Sequence, residues 1–140
     1  MKFQTFTVVV GTKACNAHCP FCISAQTGFF GMPAQVNWRN FHVACNLAQK
    51  ANTTTVLITG KGEPTLYPHN ITNTLQEIQR HNFPLIEIQT NGITMAEGTI
   101  TDQMLEEWYD LGLTTIALSV VHWNKTLNGK ICECSPTLKG

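Results

Sequence analysis

Three cysteines lie close together near the amino terminus of this 140-residue chain, in the segment ACNAHCPFC. Cys15, Cys19 and Cys22 fall within eight residues, so a single loop could bring their thiolates to a common site. Cysteine thiolates bind zinc or iron–sulfur clusters. Three cysteines would leave one iron of a [4Fe–4S] cluster open, as a catalytic zinc keeps one exchangeable position. A ligand that carries an amine and a carboxylate could chelate that iron.

Two other interpretations of these cysteines stay open. A structural zinc site would need a fourth ligand, for which His18 and Cys45 are the candidates. The CPFC segment by itself resembles a C-x-x-C redox pair, but that interpretation leaves Cys15 unexplained. Cys45 falls on the apolar face of a predicted helix and is expected in the core.

Strands and helices alternate along the chain. The predicted strands cover Phe3–Val10, Thr54–Thr59, Leu85–Thr90 and Thr114–Val121. Between them, apolar periodicity predicts helices over 35–51, around Ile71, Leu75 and Ile78, and after the N-cap candidate Thr101, with Gly112 as its C′ residue. This order predicts an α/β fold with a parallel sheet that is covered on both faces.

The unusual segments each follow a predicted strand. The cysteine segment follows the first strand, GKGEP (60–64) the second and TNG (90–92) the third, while Ser119 lies near the end of the fourth. In parallel α/β sheets, chemistry gathers at the carboxyl ends of the strands. We therefore expect these segments to share one site.

The composition is that of a folded domain. Apolar residues make up 43% of the chain and charged residues 13%, and the net charge is zero. There is no block of like charge of the kind that binds nucleic-acid backbones or anionic membranes. No run approaches 18 apolar residues, and no signal peptide is recognised, so we expect a cytoplasmic protein without a membrane segment.

The motifs together resemble those of the radical S-adenosylmethionine (SAM) superfamily. Cys15-x-x-x-Cys19-x-x-Cys22, with Phe21 before the last cysteine, looks like the cluster motif of that family. The GKGEP segment resembles its glycine-rich motif, and TNG resembles the common end of its third strand. The resemblance implies a partial TIM-type barrel, of which this chain would supply a (β/α)4 portion of a (β/α)6 core.

The resemblance also implies roles for individual residues. Cys15, Cys19 and Cys22 would bind a [4Fe–4S] cluster, and SAM would chelate the open iron. The residues that would bind SAM are Phe21 at the adenine, Gly60, Lys61 and Gly62 along the methionine portion, Glu63 at the amino group, Thr90 and Asn91 near the pocket, and Ser119 at the ribose or carboxylate. The glycines would let the backbone approach the ligand.

The implied activity is that of an enzyme. A reduced cluster would cleave SAM to methionine and a 5′-deoxyadenosyl radical, which abstracts hydrogen from a substrate, and flavodoxin or ferredoxin would supply the electron. The motifs identify no catalytic residue beyond the cofactor ligands and no substrate. The alternatives are a truncated, non-catalytic relative that holds a cluster or SAM, and a zinc-binding structural module.

The carboxyl-terminal part departs from the family pattern. We expect a single core domain over residues 1–140 that lacks the fifth and sixth strands, with 123–140 as an irregular tail. A sheet that ends at the fourth strand would leave an unpaired edge, which a second copy in an oligomer could complete. Cys132 and Cys134 in this tail are expected to be two exposed thiols.

Overall fold

Four parallel strands form the sheet of this protein, whose computed structural model describes residues 3–27 and 36–132. The strands are β1 (Thr5–Val10), β2 (Thr55–Gly60), β3 (Leu85–Thr90) and β4 (Thr115–Leu118). Their order in the sheet is β1-β2-β3-β4, and each neighbouring pair is parallel. The prediction of an α/β fold with four βα units is confirmed, and β4 ends three residues earlier than the sequence pattern indicated.

Helices connect the strands. They are α1 (Ile23–Gln26), α2 (Trp38–Lys50), α3 (Pro68–Ile78), α4 (Ile93–Ala96), α5 (Asp102–Asp110) and α6 (Lys125–Ile131), with a 3-10 turn at Pro64–Leu66. The predicted cap of α5 forms, since the Thr101 side chain accepts a hydrogen bond from the Met104 N–H. Gly112 follows the end of α5 with a φ of 101°, as a C′ glycine does.

The core lies on one face of the sheet. Val8, Ile58 and Ile88 are in register across β1, β2 and β3 on that face. They pack with side chains of the helices in a cluster that includes the fully buried Trp108 and Cys45.

The opposite face carries Thr7, Leu57 and Glu87 in register, and none of them is buried. Within the described residues, the expectation of a sheet covered on both faces is therefore wrong. In the sequence TTVLIT, buried and open positions alternate, but the open position is occupied by the apolar Leu57. The alternation could therefore not be recognised from the sequence. One open face is what a partial barrel requires, because its helices pack only on the outside.

The chain after β4 is not irregular throughout. The side chain of Asn124 accepts a hydrogen bond from the Leu127 N–H, and α6 begins after this cap. The predicted irregular tail is thus wrong for Lys125–Ile131, where Gly129 weakened the helical pattern in the sequence. Cys134 and the rest of 133–140 lie outside the described residues. Among the residues described, no helix combines the length and apolar character needed to cross a membrane.

Candidate functional site

The loop that carries the cysteines is held where it leaves β1. Gly11 has a φ of 75°, which favours glycine, and a Cβ there would lie 2.6 Å from a ring carbon of Tyr67. The hydroxyls of Thr12 and Tyr67 share a hydrogen bond of 2.6 Å. The Ala14 N–H donates to the Thr12 hydroxyl at 3.1 Å. Tyr67, which precedes α3, therefore fixes the first residues of the cysteine loop.

The glycine-rich loop after β2 lies directly against the cysteine loop. The Gly62 N–H donates to the Thr12 carbonyl at 3.0 Å, and the Glu63 N–H donates to the Ala14 carbonyl at 2.9 Å. A Cβ on Gly62 would lie 1.9 Å from the Ala14 carbonyl oxygen. Glycine is thus required at this position because two backbones meet there. The predicted approach of this glycine to SAM stays a prediction beside the contact between the two loops.

Glu63 is buried and joins the ends of β2 and β3. Its exposed fraction is 4%. Its Oε1 atom accepts three hydrogen bonds, from the Thr65 N–H at 3.0 Å and from the hydroxyls of Thr65 and Thr90 at 2.6 Å each. Its Oε2 atom accepts the Asn91 N–H at 2.9 Å. All four protein donors are uncharged, and Oε2 keeps more acceptor capacity than Oε1.

A further threonine, Thr94, is hydrogen-bonded to the threonines around Glu63 through Thr65. Because the Thr65 hydroxyl gives its proton to Glu63, the Thr94 hydroxyl must be the donor in the bond of 2.5 Å between these two threonines. The Thr90 hydroxyl likewise donates to Glu63 and accepts the Gly92 N–H at 3.0 Å. We call Glu63, Thr65, Thr90, Thr94 and the Asn91 N–H the Glu63 network.

Asn91 connects β3 to the cysteine loop. Its side-chain amide donates to the Asn16 side chain at 2.8 Å and lies 3.8 Å from the Cys15 sulfur. Its side-chain oxygen accepts the Ile93 N–H at 3.0 Å, which fixes the orientation of the amide. The three segments that the sequence predicted to share a site are therefore in contact.

The three cysteines line one cavity of about 570 Å³. Lys61 and Gly62 line it as well. The Lys61 ammonium donates to the Thr27 hydroxyl at 3.3 Å, which keeps this cation at the cavity. The predicted metal ligands and part of the predicted SAM-binding loop are thus brought together.

Three other predicted residues line a smaller cavity. Phe21, Asn91 and Ser119 surround a space of about 50 Å³ together with Cys19, which also lines the larger cavity. The Ser119 N–H donates to the Thr90 carbonyl at 2.9 Å, so the backbone extends the β3–β4 pairing by one residue.

The remaining predicted residues are in the framework of the site. Thr90 is 2% exposed and belongs to the Glu63 network. A Cβ on Gly60 would lie 2.8 Å from the Gly62 carbonyl oxygen, so this glycine shapes the turn. The roles of all eight residues toward SAM stay predictions.

Two thiols of the cysteine loop, those of Cys15 and Cys19, have raised pKa values. Burial raises the pKa of Cys15, and a hydrogen bond from the Ala17 N–H opposes this rise in part. The charges of Glu63 and of the other two cysteines make smaller contributions that raise the pKa further. Burial, followed by a hydrogen bond with Cys132, raises the pKa of Cys19 to about 11. The protein alone therefore holds neither Cys15 nor Cys19 as a thiolate, and metal binding would have to displace their protons.

The three cysteines are a donor set of the kind that holds an iron–sulfur cluster. Three thiols face one cavity and interact electrostatically with one another, which suits a cluster held by three cysteines. Among residues 3–27 and 36–132, no three His, Cys, Asp or Glu side chains are placed to hold one metal ion. Cys45 is fully buried in the core cluster, and burial raises its pKa to about 11, as expected for a packing residue.

Sequence reasoning missed several residues that build the site. Asn16, Thr65, Tyr67 and Thr94 all hold motif residues in place, through the bonds described above. Asn16 lies inside the cysteine motif, and this position could have marked it as a candidate site residue. No feature of the sequence marked Thr94, because its partner Thr65 is 29 residues away.

Comparisons with known proteins agree with this geometry. The family model of the radical SAM superfamily matches residues 9–135. A curated relative, the dual-specificity RNA methyltransferase RlmN of Desulfosudis oleivorans, is 28% identical over 126 residues, which are 88% of this chain and 33% of the relative. The chain thus spans about a third of the length of the relative it matches. The family match covers all three cysteines and every segment that contacts their loop, so the chain belongs to the radical SAM superfamily.

Proposed function

We propose that this protein binds a [4Fe–4S] cluster and SAM and that it cleaves SAM reductively. The observation that carries the proposal is the shared cavity of Cys15, Cys19 and Cys22, whose loop is joined by backbone hydrogen bonds to the segment that contains Glu63. When bound, the cluster supplies one electron that breaks the sulfonium C–S bond of SAM and yields a 5′-deoxyadenosyl radical able to abstract hydrogen.

The cysteines would hold the cluster as three thiolates. Their loop has few ways to rearrange, because Tyr67, Gly62 and Asn91 contact it from three different segments. A fixed loop lowers the conformational entropy that is lost when the ligands are ordered around a cluster. The protons of the thiols would leave to solvent through the cavity.

Glu63 would hold the amino group of SAM through Oε2. This atom accepts one protein hydrogen bond, from the Asn91 N–H, whereas Oε1 accepts three. A carboxylate in a buried setting binds an ammonium strongly, since little water competes. The Glu63 network would keep the carboxylate aimed while SAM enters and leaves.

The other predicted contacts would complete the SAM site. Lys61 and Gly62, on the larger cavity, would lie along the methionine portion. Phe21 and Ser119, on the smaller cavity, would lie toward the adenosine. A flavodoxin or ferredoxin would deliver the electron to the cluster.

Anaerobic reconstitution with iron and sulfide tests the cluster. We expect a broad absorption in the blue part of the spectrum that dithionite bleaches. Cys19→Ala should abolish the absorption, whereas Cys45→Ala, which removes a thiol from the core, should retain it. A colourless protein that binds one zinc ion tightly would overturn the proposal.

Formation of 5′-deoxyadenosine tests the reaction. Reconstituted protein incubated with SAM and dithionite should release 5′-deoxyadenosine and methionine, and Cys19→Ala should release neither. A protein that forms the cluster and binds SAM without releasing these products would be the non-catalytic relative instead.

A further inference from the structure

A fourth cysteine contacts the cysteine loop from the other end of the chain. Cys132 follows α6 and is 6% exposed. Its carbonyl oxygen accepts the His18 N–H at 3.0 Å and lies 3.7 Å from the Cys19 sulfur. Both cysteines line the smaller cavity. The expectation of an exposed thiol at Cys132 is therefore wrong, because the end of α6 packs against the cysteine loop.

We propose that Cys19 and Cys132 form a reversible disulfide in the cluster-free protein and that this bond withholds Cys19 from cluster assembly. The first part rests only on the contact between the two residues. The second part also rests on the proposed function, in which Cys19 is a cluster ligand.

Cys132 is a better partner for Cys19 than Cys22 is. The hydrogen bond with Cys132 and the charge interaction with Cys132 each raise the pKa of Cys19 more than the charge interaction with Cys22 does. Cys22 precedes α1, and the Cys22 N–H already donates to the Cys19 carbonyl at 3.0 Å in a tight turn. A bond from Cys19 to Cys132 would need no change in that turn.

The reaction is a thiol–disulfide exchange with a low-molecular-weight disulfide such as oxidised glutathione. Cys19 lines the larger cavity and can meet the reagent there, whereas Cys132 is buried. The Cys19 thiolate attacks one sulfur of glutathione disulfide, and a mixed disulfide forms as one glutathione leaves. The Cys132 thiolate then attacks the Cys19 sulfur, and the second glutathione leaves. Two protons pass from the protein thiols to the two glutathione thiolates.

Peptide mapping tests the bond. The full chain, free of metal, is equilibrated with oxidised glutathione, blocked by alkylation and digested with trypsin. We expect a disulfide between the peptides 14–39 and 131–139 that dithiothreitol reverses. Because each peptide holds more than one cysteine, variants assign the bond. Cys19→Ser and Cys132→Ser should abolish the linked pair, and Cys22→Ser and the matched control Cys134→Ser should retain it.

Stability gives a second readout that does not depend on metal. The bond would close a loop between residues 113 positions apart, and long loops gain most from a cross-link. The oxidised protein should unfold at a higher urea concentration than the reduced protein, and Cys132→Ser should show no such difference. A Cys19–Cys22 bond, a glutathione that stays on Cys19, or no bond at all would overturn the proposal.

Ferrous iron alone tests the consequence for metal binding. Without sulfide or added thiol, the oxidised chain should bind less iron than the reduced chain. Reduction of the oxidised chain with dithiothreitol, followed by its removal, should raise iron binding to the level of the reduced chain. Equal binding by the two forms, with the disulfide present, would overturn the second part of the proposal. Absence of iron binding by the reduced chain would instead contradict the proposed function and leave the mapped disulfide standing.

Discussion

Two glutamates each join two elements of this protein, but their partners differ. Glu63 is buried, and the groups that donate to it are hydroxyls and backbone N–H groups. Glu77, on α3, is 20% exposed, and its Oε2 atom lies 3.0 Å from His42 Nε2 and 3.1 Å from Arg80 Nη1. His42 in turn lies 2.8 Å from His81, between their ring nitrogens Nδ1 and Nε2.

The partners of the two glutamates distinguish a fixed site around Glu63 from an adjustable packing contact around Glu77. The donors to Glu63 are hydroxyls and backbone N–H groups, none of which changes its charge near neutral pH. Glu77 instead contacts His42, which lies beside His81, and burial is the main cause that lowers the pKa of His81. The first arrangement suits a carboxylate that must stay aimed at a ligand, and the second only holds α2 against α3.

The largest effect is expected from Glu63→Gln, compared with Glu77→Gln. A glutamine at 63 would turn an NH₂ group toward one or more of the N–H and O–H donors that now point at the carboxylate. Leaving buried donors without an acceptor should lower the free energy of unfolding by about 3 kcal/mol. Glu77→Gln should cost less, about 1 kcal/mol, because glutamine keeps a side-chain oxygen for His42 and for the exposed Arg80 side chain. Urea denaturation of both variants measures the contrast, and equal losses would remove the distinction drawn between the two glutamates.

Gly62→Ala should have the next largest effect. The added methyl would overlap the Ala14 carbonyl, so the glycine-rich loop must separate from the cysteine loop. We expect a loss of about 2 kcal/mol, in the range of overpacked cores, together with faster alkylation of Cys15 and Cys19. Gly129→Ala is the matched control, because a Cβ there meets nothing within 4 Å. A Gly62→Ala protein with unchanged stability and alkylation would show that the two loops do not depend on each other.

Thr94→Val tests the outer part of the Glu63 network. Valine has nearly the shape of threonine but cannot donate to the Thr65 hydroxyl, which would then hold Glu63 less firmly. The expected loss in the free energy of unfolding is about 1 kcal/mol, the usual contribution of one buried hydrogen bond. Thr99→Val, at an exposed position nearby, should change it by less than about 0.5 kcal/mol. If both variants lose the same amount, the Thr94 hydroxyl does not support Glu63.

The comparison also shows what could be predicted from the sequence. The order of strands and helices followed from periodicity, and the family followed from motifs in which Glu63 and the cysteines keep short spacings. The open face of the sheet could not be recognised, because apolar residues such as Leu57 occupy it. Thr94 and Cys132 could not be assigned either, since their partners Thr65 and Cys19 are brought close only by the fold. The contact between His42 and His81 was missed for the same reason.

The smallest effect is expected from the pH dependence of the histidine contact. Burial, followed by the charges of His42 and Arg80, lowers the pKa of His81 below its usual value of 6.5, and Glu77 opposes this shift only in part. The folded state therefore binds fewer protons than the unfolded state between the two pKa values. Stability from this residue is fully present above pH 6.5 and is lost as the pH falls from 6.5 toward the lowered pKa.

Urea denaturation at a series of pH values checks this expectation. His81→Gln should make the curve of stability against pH flatter below pH 6.5, which is the usual pKa of a histidine. His69→Gln, on the exposed side of α3, should leave the slope as it is. A slope that His81→Gln retains would show that His81 does not cause the pH dependence.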